Sequence, residues 1–172
     1  IMDLNCLKAA FAQLPVAHID YFDSIDSTNS HALKLADLGV PEPALVVADT
    51  QTSGRGRMNR RWITNPGSAL AFSLLLHPKP DEQTRLQLFS ALASLAVCRV
   101  LINTYQLNAQ IKWPNDILID REKTAGILSE AVWAGDLLQA VVIGIGLNVT
   151  RESLPPIGSL QFPATCLEVH LP

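Results

Sequence analysis

The sequence has few cysteines, few charged residues and no basic excess, and each shortage argues against a class of protein. Its three cysteines, Cys6, Cys98 and Cys166, are far apart and show no metal-ligand spacing, which argues against a disulfide framework or a zinc site. Charged residues make up 17% of the chain and the formal net charge is -3, so no general basic field is available for nucleic-acid backbones. We expect a protein of a reducing compartment without a DNA partner.

Long apolar runs and a basic leader segment are also missing. The apolar runs at residues 68–76 and 141–147 are far shorter than the roughly 20 residues of a membrane span. No basic segment leads into an apolar signal core at the N-terminus. Hydrophobic residues nevertheless make up 48% of the 172 residues, which is ample material for one core. We therefore expect a single soluble, cytoplasmic domain over residues 1–172 with no membrane partner.

Helical periodicity and capping residues predict three helices in the first two thirds of the chain. They are a short helix over residues 4–14 with Asp3 as N-cap, a second that the group Asp26 to Asn29 caps and Gly39 stops, and a long third over 86–101 that Asp81 caps. Strand patterns are predicted between them at residues 18–22, 45–49 and 69–76. The third helix has a broad apolar stripe, so we expect it to cover the sheet.

Short strands with tight turns dominate the second half. They are predicted at residues 110–113, 117–119, 125–132 and 137–147, with turns at 114–116, 120–122 and 134–136. Turns this short connect antiparallel neighbours. The predicted fold is α+β, with a mixed, largely antiparallel sheet and helices mainly on one face. From Arg151 onward the prolines break up any regular pattern.

The most informative segment runs from Gln51 to Trp62 and is called the Arg/Gly loop below. In it Gly54 and Gly56 alternate with arginines, and two more arginines follow. Glycines let the backbone approach an anion, and guanidinium groups supply permanently charged donors for phosphate oxygens. A solvated surface loop is the other interpretation. The segment is not a Walker A loop, because no Gly-Lys-Ser/Thr follows.

Two further groups of residues suggest a site. Lys112 and Asp116 lie in Lys-Trp-Pro-Asn-Asp, and Lys123 follows eleven residues after Lys112. Such lysines could stabilise charge on a phosphorus centre, and the carboxylate could hold Mg²⁺; alternatively they are a turn and two solvated side chains. Gly144-Ile145-Gly146 is no dinucleotide fingerprint, because Val149 stands where a third glycine would fall. The pair is better explained by close packing on a strand.

Taken in order, these motifs resemble the catalytic domain of bacterial biotin protein ligases. The resemblance covers residues 25–149 and rests on Ser27-Thr28-Asn29, Gln51, the Arg/Gly loop, KWPND, KTAGILSE and GIGLN. It implies a fold like class II aminoacyl-tRNA synthetases and biotin–lipoate ligases. It also implies that ATP activates biotin as biotinyl-5'-AMP, which is then transferred to a lysine of the biotin carboxyl carrier protein of acetyl-CoA carboxylase.

The resemblance also implies roles for individual residues. Biotin-binding residues would be Ser27, Thr28, Asn29, Gln51, Arg55, Gly56, Arg57, Lys123, Gly126 and Leu128. Nucleotide-binding residues would be Arg55, Arg57, Trp62, Lys112, Asn115, Asp116 and Asn148. Lys123, Arg57 and Lys112 would be catalytic, and Asp116 would hold Mg²⁺.

The sequence departs from the family pattern in its loop and in its extent. Family loops usually read GRGRRG, whereas Met58 and Asn59 follow Arg57 here; asparagine tolerates positive φ, but Met58 removes a charge. Ligases of this family usually carry a small C-terminal β-barrel, and some add an N-terminal helix-turn-helix. Neither is visible here, which suggests a non-regulatory form, truncated or short at its C-terminus. A monomer or weak homodimer is expected.

Two other functions stay open at this point. A lipoate–protein ligase would need a longer, narrower apolar tunnel, and the complete GRGR and KWPND motifs argue against it. A non-catalytic biotin-binding fragment is the alternative from a different class.

Overall fold

The computed structural model describes residues 3–79, 81–155 and 163–171. Its α-helices and strands are α1 (Leu4–Ala10), β1 (His18–Ile25), α2 (Thr28–Asp37), β2 (Ala44–Gln51), β3 (Ala69–Leu76), α3 (Leu86–Asn103), β4 (Ala109–Lys112), β5 (Asp116–Ile119), β6 (Glu122–Ala134) and β7 (Leu137–Asn148). Within these ranges the strands form one seven-stranded sheet in the order β1-β2-β3-β7-β6-β5-β4. All neighbours are antiparallel except β1 and β2, which are parallel. The predicted mixed, largely antiparallel sheet is confirmed.

Helices α1 and α3 cover the same face of the sheet. Leu45 of β2 packs with Leu7 of α1. Its row of side chains continues through strand pairing to Leu74 and then to Ile143 of β7, which packs in the large cluster around α3. Because α3 is the longest helix, most helical residues lie on this face, as predicted.

Helix α2 packs on the opposite face. Ala32 and Leu35 of this helix pack with the row that Ala44, Leu75 and Val142 form across β2, β3 and β7. The helix is short, so it covers only part of its face. The rest of that face, over β6 and the end of β7, is where the cavity described below lies.

An aspartate with two histidine neighbours links α2 to the edge strand β1. Asp20 Oδ2 lies 2.8 Å from His31 Nε2 of α2, and Asp20 Oδ1 lies 3.0 Å from His18 Nε2. Partial burial acts to raise the pKa of Asp20, but hydrogen bonds and positive charge from His31 and His18 outweigh it and lower that pKa. The carboxylate form is therefore favoured in the folded protein.

The first two helices begin as the sequence predicts. Asp3 Oδ1 accepts a hydrogen bond from the Cys6 amide at 2.8 Å, although α1 ends at Ala10, short of the predicted residue 14. Ser27 caps α2 through its side chain. Gly39 follows that helix with a φ of +66°, the left-handed conformation that a terminating glycine adopts most easily.

The predicted cap of α3 is wrong. A 3₁₀ turn at Gln83–Arg85 comes between Asp81 and the helix, which begins at Leu86 without a side-chain cap. Asp81 is thus too far from the first free amides of α3. After Arg151 we predicted no regular structure, and the described residues there form only short 3₁₀ turns. Residues 156–162 lie outside the described ranges.

By length and composition, α3 could also cross a membrane, and among the described helices it alone passes that test. Its sheet-facing side buries Ser94, Cys98 and Leu101, while Leu88 and Leu92 are exposed. The two apolar runs that we compared with a membrane span, residues 68–76 and 141–147, do not include this helix. The absence of a membrane partner therefore stays a prediction.

Candidate active site

Polar side chains gather where β1 passes into α2. Ser27, Thr28 and Asn29 are each at least 95% buried. Both the amide and the hydroxyl of Thr28 donate to Gln51 Oε1, at 2.8 and 3.1 Å. The extended backbone of Ser27 turns these side chains back toward the sheet, so that the helix N-terminus presents a fixed polar cluster.

Ser73 supports this cluster and was not predicted as a site residue. Its Oγ is fully buried and lies 2.8 Å from Thr28 Oγ1 and 2.6 Å from Asn29 Oδ1. The available signal is a single serine in the otherwise apolar strand Ala69–Leu76. A buried hydroxyl needs a hydrogen-bonding partner, so this position could have been singled out.

The floor of the site is made from three strand glycines and Leu128. Gly126 pairs with Gly146, and Leu128 pairs with Gly144, on the α2 face of β6 and β7. A Cβ atom on Gly144 would collide with the Asn29 amide, and one on Gly146 with the Trp62 indole. The predicted role of the glycines, to allow close packing, is confirmed.

The Arg/Gly loop folds as a small hairpin over this floor. The Gly56 amide donates to the Arg60 carbonyl at 2.8 Å, and the Trp62 amide donates to the Gly54 carbonyl at 2.9 Å. At the tip both Met58 and Asn59 have positive φ, 56° and 58°. Asn59 thus adopts the positive φ that asparagine was predicted to tolerate. Met58 adopts the same conformation at a cost of about 1 kcal/mol.

The arginines of the loop reach different parts of the molecule. Arg55 forms an ion pair with Glu130 of β6. Arg57 Nη1 donates to Asn115 Oδ1 at 2.8 Å, and Arg61 Nη2 donates to the Thr52 carbonyl at 2.7 Å within the loop. Glu130 was not predicted as a site residue, although it ends the KTAGILSE motif. Sequence alone gave no sign of which arginine it meets.

A charged cluster of Lys112, Asp116 and Lys123 lies beside the floor. Pairing of β4 with β5 sets Lys112 opposite Asp116, and Asp116 pairs in turn with Gly126. The carboxylate is 2.6 Å from Lys123 Nζ and 3.6 Å from Lys112 Nζ. It therefore holds both ammonium groups at the cavity.

The turn that carries this cluster is attached to β6 through Asn115. Asn115 Nδ2 donates to the Ile127 carbonyl at 2.7 Å, and the Ile127 amide donates to the Asn115 carbonyl at 2.9 Å. These bonds fix the side chain whose oxygen accepts from Arg57. The loop and the turn are thus joined across the cavity.

Trp62 closes the site beside the lysines. Its ring centroid is 5.6 Å from Lys123 Nζ, within cation–π range, and the ring lies against Gly126 and Gly146. The indole Nε1 is buried without a hydrogen-bond partner among the described residues. A buried donor of this kind suits a ligand acceptor.

Residues near the C-terminus hold the backbone of Lys123. Its amide donates to the Pro163 carbonyl and its carbonyl accepts from the Thr165 amide, both at 2.9 Å. Asn148 Nδ2 donates to the Thr165 carbonyl at 3.0 Å. Asn148, predicted on the nucleotide side, thus also ties the segment 163–165 to β7.

All the predicted site residues line one cavity of about 560 Å³, a usual size for a small-molecule site. They are Ser27, Thr28, Asn29, Gln51, Arg55, Gly56, Arg57, Trp62, Lys112, Asn115, Asp116, Lys123, Gly126, Leu128 and Asn148. The polar end of α2 lies on one side of the glycine floor, and the lysines lie on the other. Such a cavity fits a ligand with an uncharged polar end and an anionic end.

The chain belongs to the biotin/lipoate A/B protein ligase family, whose family model matches residues 21–148. A bifunctional ligase/repressor BirA of Bacillus spizizenii is 45% identical over 136 residues, which cover 79% of this chain and 42% of that protein. A biotin–(acetyl-CoA-carboxylase) ligase of Paracoccus denitrificans is 41% identical over 142 residues, which cover 81% and 57%.

A solved structure agrees with these relatives. The biotin protein ligase from Aquifex aeolicus in complex with biotin and ATP is 31% identical, with a TM-score of 0.72 over 89% of this chain and 60% of that one. The resemblance found in the sequence is confirmed. The chain spans about two fifths to three fifths of the length of these relatives.

Proposed function

We propose that this domain uses ATP to activate biotin as biotinyl-5'-AMP and transfers the biotinyl group to a lysine of the biotin carboxyl carrier protein of acetyl-CoA carboxylase. The observation that carries the proposal is one cavity with a buried polar helix end, a glycine floor and a cationic end. It is supported by the biotin and ATP bound to the Aquifex aeolicus relative and by the name of the Paracoccus denitrificans relative.

Biotin would lie along the floor with its ring toward α2. Thr28, Asn29 and Gln51 supply fixed polar groups for the ring, and Leu128 with the paired glycines gives an apolar wall for the side chain. The carboxylate would then point toward Lys123. This is the orientation that brings it to the charged cluster.

Activation requires two anions to be held together. A biotin carboxylate oxygen forms a bond to the α-phosphorus of ATP while the bond to pyrophosphate breaks, so no proton has to move. Lys123 and Lys112 offset the charge, after exchanging Asp116 for substrate oxygens. Arg57 adds a guanidinium from the loop.

The residues present allow a limited role for Mg²⁺. No group of three or more His, Cys, Asp or Glu among the described residues could hold a metal ion. Asp116 is the acidic side chain that lines the cavity, and Mg²⁺ is usually bound by one or two carboxylates plus substrate phosphates. Asp116 would be that carboxylate, and the ion would offset phosphate charge.

Transfer requires the intermediate to be kept from water. The carrier lysine, as a neutral amine, attacks the carbonyl carbon of the mixed anhydride; an amide forms, AMP leaves and the amine loses a proton. The Arg/Gly loop lies over the cavity and would exclude water until the carrier arrives. We further propose that the domain works in the cytoplasm as a monomer or weak homodimer, without DNA or a membrane as partner.

Biotin-dependent exchange of labelled pyrophosphate into ATP tests the activation step. We expect exchange with biotin and much less with lipoate. A preference for lipoate would favour a lipoate–protein ligase, and no exchange with either acid would leave a non-catalytic binding fragment. Transfer is tested separately by incorporation of biotin into a purified carrier domain.

A further inference from the structure

Glu130 touches two parts of the site at once. It lies on β6, two residues after Leu128 and on the same face as the glycine floor. One carboxylate oxygen accepts from Asn29 Nδ2 at 2.8 Å, and the other accepts from Arg55 Nη2. Both oxygens are thus used, one by the start of α2 and one by the Arg/Gly loop.

Arg55 extends this contact to α2. Its Nη1 lies 3.3 Å from Ser30 Oγ in the first turn of that helix. The guanidinium therefore joins the loop to both a strand and a helix. Arg57 and Arg61, in contrast, donate to the uncharged oxygens of Asn115 and Thr52.

In the contacts of Arg57 and Arg61 only the arginine is charged, whereas in the Arg55–Glu130 pair both partners are, so its loss leaves a carboxylate without its counter-charge. Side-chain exposure is 23% for Glu130 and 39% for Arg55, so the pair is partly screened yet not fully hydrated. If the loop opened, the carboxylate would keep its Asn29 contact but lose its counter-charge. The hydrogen bond between Arg55 and Glu130 is charge-assisted from both sides, so the pair favours the closed loop.

We infer that Glu130 is a positioning residue, which holds the Arg/Gly loop closed through Arg55 while it orients the Asn29 amide. It follows that Arg55 acts mainly within the protein, and Arg57, which reaches Asn115 beside the charged cluster, is our candidate for the contact with the adenylate phosphate. This inference rests on the proposed function for its consequence in catalysis, but the loop contact itself can be tested without substrate.

Limited trypsin digestion measures loop opening directly. Glu130→Gln keeps the size of the side chain and an acceptor for Asn29, but it removes the charge. We expect cleavage after Arg61 to become about three- to tenfold faster without ligand, the range for loss of a partly exposed charged pair. Cleavage after Arg99 in α3, which reports global unfolding, should keep the parent rate.

Two further variants make the test specific. Glu42→Gln removes another partly exposed carboxylate, which lies near His77 away from the cavity, and loop cleavage should stay at the parent rate. In an Arg55→Met background the effect of Glu130→Gln should vanish, because the partner is already gone. Equal loop cleavage in the parent and Glu130→Gln, or an undiminished effect in the Arg55→Met background, would overturn the inference.

The consequence for catalysis is read from the fate of the intermediate. With ATP and biotin, Glu130→Gln should release a three- to tenfold larger share of its adenylate than the parent. An unchanged share with faster loop cleavage would contradict the link to retention. A parent without biotin-dependent exchange would instead contradict the proposed function, and the digestion would still decide the loop contact.

Discussion

Replacing Lys123 by alanine should stop adenylate formation and leave the domain folded. The side chain is 29% exposed, and its Nζ lies 2.6 Å from Asp116 Oδ1 and 5.6 Å from the Trp62 ring centroid. Loss of a partly exposed ion pair costs about 1 kcal/mol, and loss of the cation–π contact costs about 0.5–1 kcal/mol. The sum of about 1.5–2 kcal/mol is small beside a typical stability of about 5–15 kcal/mol.

The effect on the reaction should be much larger. A pre-oriented donor at the point where charge develops contributes about a hundred- to a thousandfold in rate. The backbone of Lys123 is held by Pro163 and Thr165, so truncating the side chain should not move the strand. We expect biotin-dependent pyrophosphate exchange to fall by at least about a hundredfold.

The assay pairs this exchange rate with a thermal unfolding curve. Lys34→Ala, which truncates an exposed lysine in the last turn of α2, is the matched control and should leave both measurements at the parent values. An exchange rate for Lys123→Ala within tenfold of the parent rate, in a folded protein, would refute the role of Lys123 as the main cation at the reacting oxygens.

Three other substitutions test separate parts of the site and fold. Arg57→Gly should raise adenylate escape about ten- to a hundredfold, since it removes one charge-assisted contact; serum albumin incubated with ATP and biotin should then gain biotin, and labelling no greater than with the parent would count against Arg57. Gly144→Ala should push aside the Asn29 amide and weaken biotin binding in calorimetry, whereas parental affinity would show that the floor has room. Asp20→Asn should lower the free energy of unfolding, measured in urea, by less than about 1 kcal/mol above pH 5. Because the pKa of Asp20 is lowered from 3.8, this difference should shrink as the pH falls below that value; a difference that grows there would have the wrong sign.

Several of the motifs whose residues line the cavity could be located from sequence because they lie at the end of an element. Ser27-Thr28-Asn29 begins a helix, and Lys112 and Asp116 flank a tight turn, so local sequence fixes where these side chains stand. The order of the strands then brings the ends together on one face. Periodicity does not give that order, and the family resemblance indicated only the type of fold.

Contacts between distant residues were the part that sequence could not give. The pairing of Arg55 with Glu130 depends on a loop crossing to a strand 75 positions away, and nothing local distinguishes Arg55 from the other arginines. The prediction that Asp81 caps α3 was wrong for the opposite reason. A plausible local cap was overridden by a 3₁₀ turn that starts the helix later.

The bridge between Lys123 and Ala164 decides how short an expressed fragment can be. The family match ends at residue 148, and a fragment cut there would still contain every predicted site residue. It would lose the backbone partners of Lys123 and the buried side chains of Thr165 and Cys166, so the start of β6, which carries the lysine, would fray. A minimal version of this domain should therefore extend through residue 171.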